Sequence, residues 1–280
     1  LNQYFEEIMR EEQAITTYVI CDEVLKILNI KDDPQSIMTH AEVMTFCILA
    51  ARLHSGNHTL ARWTCGLARY FLRILSPSRL NRRCRQIPMP AWVAVFRFCA
   101  LIFSKGQEYA VDSFPVPVCQ KSRIDRRKLF REQKYLGFSA SKNSYFCGIR
   151  VHMVVTADGC PVEMALSPAS EPDVNVLWKM ELDLPLGSLL YADGAYSCFE
   201  LEDILREDEH LQLMPKRGKG VKSRRWSEEI QKKISSKRQI VETVFSCITA
   251  LLPRSIIVRT EQGFWVRIMG AILAYSLSLV

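Results

Sequence analysis

From its start to about residue 104 the chain follows a helical rhythm. Apolar side chains recur at Ile15, Val19, Ile20, Val24, Leu25 and Leu28, a spacing that lays one stripe along a helix, and strand-like alternation is absent. Thr39 followed by Glu42 reads as a capping box opening a second helix. A third helix is predicted from Thr59 to Leu75, and Ser78 is placed to cap a short fourth one. Pro88 and Pro90 then break the chain before a helix from Ala91 to Phe103.

From Glu108 the pattern changes to period two. Strands are predicted at Tyr109–Val118, Phe146–Thr156 and Val162–Leu166, with Ala157-Asp158-Gly159 as the turn between the last two. A helix beginning near Ser170 or Glu171, a strand Leu189–Ala192, a helix through Leu201–Leu205 and a strand Leu211–Met214 follow. Beyond a basic loop, Ile230, Ile234, Val241, Phe245, Ile248 and Leu252 mark one face of a long helix. The apolar stretch Ile268–Val280 behind Arg267 is too short to cross a bilayer and reads as a packed terminal helix. The order βββαβαβα implies an α/β fold, a mixed sheet covered by helices and preceded by an all-helical region, with active residues at strand ends. The expected division is residues 1–105 and 106–280.

Composition sharpens this picture in two ways. The net charge is +7, yet residues 121–134 carry seven Lys/Arg against two acids and residues 216–238 carry ten against two, leaving the remainder mildly acidic. Two concentrated cationic segments are what gripping a polyanion requires, the alternative being solvated loops. The first segment offers Lys121, Arg123, Arg126, Arg127 and Lys128; the second offers Lys216, Arg217, Lys219, Lys222, Arg224, Arg225, Lys237 and Arg238. Arg79, Arg82, Arg83 and Arg85 on the fourth helix are a solvated face or a further contact to DNA. The ten cysteines are dispersed without a C-x-x-C pair, and no secretory pattern opens the chain, so a reducing cytoplasm is expected. Leu1 in place of Met, and an apolar ending at Val280, leave either end open to extension.

Three carboxylates stand in unlike settings. Asp112 lies within Ala110-Val111-Asp112-Ser113-Phe114, Asp193 ends Leu189-Leu190-Tyr191-Ala192-Asp193, and Glu242 sits beside Val241 at the edge of the long helix's apolar stripe. An ionised carboxylate in strand-like apolar sequence needs a cation or strong hydrogen bonds to offset desolvation. Two such acids and a third on a later helix point to a divalent-metal phosphoryl-transfer site, with Asp112 as the central bridging ligand. Taken singly, Asp193 is equally a turn residue before Gly194, and Glu242 an ordinary i,i+4 partner of Arg238.

Other groupings carry less. Cys47, His54, His58 and Cys65 lack zinc spacing, and Ser55-Gly56 interrupts the helix between them. His152, in an apolar strand, reads as a satisfied core histidine. Lys216-Arg217-Gly218-Lys219-Gly220 is not a P-loop. Asp173 reads as a helix-capping acid, with an auxiliary ligand as the alternative.

The stretch Tyr109–Thr243 resembles bacterial insertion-sequence transposases of the DDE class, most closely the family numbered nine-eight-two. The words that carry the resemblance are Val111-Asp112-Ser113-Phe114-Pro115-Val116 with Val118-Cys119, Ala140-Ser141-Lys142 with Tyr145-Phe146 and Gly148, and Val151-His152. Leu184-Pro185, Gly187-Ser188, Tyr191-Ala192-Asp193 with Ala195-Tyr196, and Val241-Glu242-Thr243 follow. The helical first hundred residues, with Ser78-Arg79 and Asn81-Arg82-Arg83, are also similar. The resemblance implies an RNase H-like catalytic domain, a triad of Asp112, Asp193 and Glu242 holding Mg²⁺ (with Mn²⁺ as a substitute), and Lys142 among the DNA contacts. Related families carry Tyr-x-x-Arg-x-x-x-Glu with a Lys seven residues further on; Arg238 and Glu242 match, whereas Ser235 and Thr249 occupy the outer positions.

The expected activity is cleavage of DNA at the terminal inverted repeats of an insertion sequence, then strand transfer of the freed 3′-hydroxyl into target DNA. A structure-specific endonuclease on the same fold, and a catalytically dead DNA-binding descendant, are the alternatives. The expected setting is the bacterial cytoplasm, associated with the nucleoid and not with a membrane, with a homodimer when two ends are paired.

Overall fold

The computed structural model describes residues 2–103, 106–119, 121–139, 143–218, 221 and 223–279, with side chains from residue 11 onward except at 103 and 121–123. The chain forms two compact units, one made of Leu1–Cys99 with Cys247–Val280 and the other of Ala100–Ser246. A single cut near residue 105 therefore differs from the observed division, because the last 34 residues fold with the helical unit.

The first unit contains α1 (Asn2–Ile27), α2 (His40–His54), α3 (His58–Leu67), α4 (Pro77–Gln86) and most of α5 (Met89–Phe103). In α2 every residue from Ala41 to Ala51 except Glu42 is buried, as expected of a helix that is apolar on all sides and has neighbours on each. Thr39 accepts from the Glu42 backbone N–H while the Glu42 carboxylate accepts from that of Thr39, completing the anticipated capping box. Two helix limits differ from expectation. α3 stops at Leu67 because Arg69 turns left-handed, with φ 52°, and α4 starts at Pro77 behind Ser76, using proline's preset φ at the first position instead of a Ser78 cap.

The second unit is built on β1 (Glu108–Cys119), β2 (Leu136–Ser139), β3 (Ser144–Thr156), β4 (Pro161–Pro168), α6 (Asp173–Leu177), β5 (Leu189–Ala192), α7 (Phe199–Glu207), β6 (Gln212–Pro215) and the first part of α8 (Glu228–Leu251). The last long helix is α9 (Glu261–Ser276), in the helical unit; Gly270 there faces α2, where a Cβ would lie 3.2 Å from the Cys47 carbonyl oxygen. The mixed sheet runs β2-β3-β1-β5-β6, with β4 also on β3; β1 and β3 are antiparallel, while β1, β5 and β6 are parallel. It holds one strand more than βββαβαβα allows, since β2 is only four residues long and follows the basic segment. All ten cysteines are free thiols, and no described helix is long and apolar enough to cross a membrane.

The two faces of β1 have different partners. Tyr109 and Val111 join the core made with Leu177, Leu190, Ala192, Leu201, Leu205 and Leu213, on the side of α6 and α7. Glu108, Asp112 and Phe114, on the other side, meet α8. Glu108 pairs with Lys233 and Lys237 at 2.7 and 2.6 Å, Asp112 with Arg238, and the Phe114 ring lies 4.6 Å from that of Phe245. The spans agree: six strand residues cover about 20 Å and twelve helical residues about 18 Å. Lys233, then Lys237, hold the Glu108 carboxyl down at about 2.

His152, at the centre of β3, is fully buried between Ser167 Oγ at 2.9 Å and Tyr196 Oη at 3.3 Å, the satisfied core histidine expected from sequence. Burial, then the Arg150 charge, depress its pKa from 6.5 to about 4. The fold accepts the neutral ring, so this contribution is whole above the unfolded value and lost as the pH falls toward the folded one. Resistance to denaturant is expected to fall as the pH is lowered between those two values, and His152→Gln to remove a share of that loss on the order of 3 kcal/mol. An unchanged pH slope in the variant would refute the assignment.

Candidate active site

Asp112 sits on the central strand, paired across the sheet with Met153. Its Oδ1 accepts from the Ser113 backbone N–H at 2.8 Å, leaving Oδ2 to face α8. Asp193 immediately follows β5, the parallel neighbour of β1. Its Oδ1 accepts from the Ala195 N–H at 2.7 Å and caps the turn Gly194–Tyr196, so its turn role and its place among the acids coexist. Glu242 projects from α8 and is 64% exposed, against 16% for Asp112 and 34% for Asp193.

One guanidinium draws these acids together. Arg238 Nη2 donates to Asp112 Oδ2 at 2.8 Å and lies 3.8 Å from Asp193 Oδ2 and 3.9 Å from Glu242 Oε1. Burial drives the Asp112 carboxyl above its ordinary range, and the Arg238 hydrogen bond opposes that rise without cancelling it. For Arg238, burial works to lower the pKa and is outweighed by Asp112, Asp193 and Glu242, so its charge is secured. Its Nε is buried without a hydrogen-bond partner.

Asp112, Asp193 and Glu242 offer the hard oxygen donors that a divalent cation prefers, and the point they face is held here by the Arg238 guanidinium. Among the described residues no three His, Cys, Asp or Glu side chains lie close enough to hold an ion by themselves. The set is thus centred on the guanidinium. Cys47, His54, His58 and Cys65 likewise form no ion-holding group among the described residues, and His54 lies 2.8 Å from Thr64 Oγ1.

The basic residues separate into two groups. Arg126, Lys128, Lys216 and Arg225 are exposed. Arg127 is spent on its own loop, donating to the carbonyls of Phe130, Ile124 and Arg131. Arg217 is a correction to the phosphate-contact set: it is buried, bonded to Ser197 Oγ and paired with Glu202, and lies over the rings of Phe199 and Trp226. Arg224 binds Asp203 at 2.6 Å and Lys237 binds Glu108, so both also serve the fold. Lys142, Lys219 and Lys222 lie outside the described residues, as do the side chains of Lys121 and Arg123.

Sequence reasoning underrated Asp173. It stands at the first position of α6, behind Pro172, and its Oδ1 accepts from Ser113 Oγ at 3.1 Å in place of capping the helix. Burial raises its pKa, and Asp193 and Asp112 add to the rise against Arg150 and Ser113. The register Ser113↔His152, invisible before the strands are paired, sets Ser113 against the strand that carries Arg150, whose Nη1 donates to the Ser113 hydroxyl.

Removing Arg238 leaves the Asp112 charge unmatched. Arg238→Gln is expected to destabilise the chain by about 2 kcal/mol at pH 8, below the roughly 3–5 kcal/mol of a fully buried pair. Because the Asp112 pKa is already raised, protonation removes the need for a partner, and the deficit shrinks toward pH 4. Unfolding at both pH values checks this; an equal deficit at each would contradict it.

No curated protein matches the chain. The cryo-EM structure titled piggyBac transposase synaptic complex with hairpin DNA has a TM-score of 0.49 at 9% identity, over 96% of this chain and 73% of that one, too distant to support an argument. A family model described as "Transposase DDE domain" matches residues 104–277, which include all three acids and Arg238. With that match extending over more than half of its length, the chain belongs to the transposase DDE domain family.

Proposed function

We propose that this chain is a DNA transposase on an RNase H-like frame, which cuts DNA at the ends of an insertion sequence and transfers the freed 3′-hydroxyl to target DNA. The observation that carries the reading is the gathering of Asp112, Asp193 and Glu242 about one cationic nitrogen, in a member of the transposase DDE domain family. An antiparallel pair β1–β3 beside the parallel series β1, β5 and β6 supports the frame.

Asp112, Asp193 and Glu242 would hold Mg²⁺, or Mn²⁺ in its place, and the bound ion would lower the pKa of water and offset charge during in-line displacement at phosphorus. The protein's own part is orientation. Asp112 and Asp193 each commit one oxygen to a backbone N–H, which fixes the other toward the shared point. Arg238 restrains both and carries charge toward a phosphate. Arg126, Lys128, Lys216 and Arg225 would grip the DNA backbone, the helical unit would bind element ends, and a homodimer would pair two of them inside a bacterial cell.

Asp193→Asn keeps an oxygen for the Ala195 N–H and removes the ligand charge. It is expected to abolish Mg²⁺-dependent cleavage and joining while leaving binding to element-end DNA within about twofold, with log K falling by roughly 0.9 per phosphate contact for each decade of salt. Cleavage by the variant at the wild-type rate would sink the site assignment. Cutting without joining would reduce the activity to that of an endonuclease, and salt-insensitive binding would remove the basic contacts.

A further inference from the structure

On the face of the sheet opposite α8, a part-buried polar network joins the strand of Asp112 to the turn of Asp193. Ser113, the next residue after Asp112, receives Arg150 Nη1 at 3.3 Å and donates to Asp173 Oδ1 at 3.1 Å. Its partner across the strands is His152. Ser167 Oγ donates to the Pro168 carbonyl at 3.2 Å, so it accepts from His152 Nε2–H, which leaves Nδ1 as the acceptor for Tyr196 O–H. Tyr196 closes the turn that Asp193 caps, and α6, which carries Asp173, packs against that turn. His152 and Tyr196 have no exposure, and Asp173 retains 16%.

A third carboxylate near Asp112 and Asp193 works against all three by like-charge repulsion. Asp173 is tolerated there by the Ser113 hydroxyl and the nearby Arg150 charge, and only a fixed geometry provides both. We propose that Asp173 is a positioning residue: through Ser113 and α6 it sets the relation between the Asp112 strand and the Asp193 turn, and so the fit of both acids to a divalent cation. The inference rests on the metal-dependent reading above. In this role Asp173 acts on the acids through Ser113 and α6 and is not counted among the ligands.

Mn²⁺ binding to the full-length chain without DNA, followed by electron paramagnetic resonance, tests this directly. Asp173→Ala is expected to weaken Mn²⁺ about tenfold with little change in Tm, in line with other groups that orient metal ligands from behind. Asp173→Asn keeps an acceptor for Ser113 and stays within about twofold of wild type. Ser113→Ala, the smaller change, reproduces the loss and decides the matter if Asp173→Ala unfolds; the double variant is no worse than either single one. With element-end DNA, Asp173→Ala lowers kcat at subsaturating Mn²⁺ and leaves KM for DNA unchanged. Wild-type Mn²⁺ affinity in both Asp173→Ala and Ser113→Ala overturns the inference. If Asp193→Asn also binds as wild type does, the metal site falls with it; if Asp193→Asn alone loses Mn²⁺, only the role of Asp173 is lost.

Discussion

A carboxylate on the central strand of a covered sheet cannot remain charged alone, and much of this unit is arranged around the one at Asp112. One oxygen is held by the neighbouring backbone and the other by Arg238. Arg238 reaches it because α8 runs along β1 in matching steps, fixed at one end by Glu108 with Lys233 and Lys237 and at the other by Phe114 against Phe245. Charge and ring contacts together choose which side of α8 faces the sheet. Glu242, one turn beyond Arg238, then approaches the same nitrogen without further provision.

The opposite face solves a related problem with neutral groups. There His152 is kept uncharged by burial and Arg150, and each of its ring nitrogens has one hydroxyl partner. On the α8 side charge is met directly by charge; on the opposite face hydroxyls satisfy His152, and the Asp173 carboxylate is held by the Ser113 hydroxyl near Arg150. Arg217, buried against Glu202 and two aromatic rings, shows how a residue from a basic tract can become part of the scaffold.

Much of this was readable from sequence because it rests on local rules. The two-residue rhythm of β1 and β3, the Thr39 and Glu42 box and the stripe on α8 are each written within a few turns or strand steps. The settings of Asp112 and Asp193 were legible for the same reason. What escaped were facts of pairing. Strand β2 is too short to declare itself; Arg217 looked like its exposed neighbours until Glu202 was brought to it; and Asp173, read as a helix cap, meets Ser113, sixty residues away, only in the folded chain. The helices of residues 247–280 likewise give no local sign of which unit they join.

The stepwise match of α8 to β1 also limits how the gene can change length. Each helical residue advances about 1.5 Å and turns the helix by about 100°. One codon inserted between Lys233 and Phe245 would therefore rotate every later side chain off its partner, while a conservative replacement at most positions there would leave the alignment intact. Residues 216–227, which precede the helix, are held at separate points, Arg217 by Glu202, Arg224 by Asp203 and Trp226 by the Pro215 carbonyl, and not in a repeating step. Homologues are thus expected to keep a constant count along the helix, a pattern that descent would preserve even after individual residues had diverged.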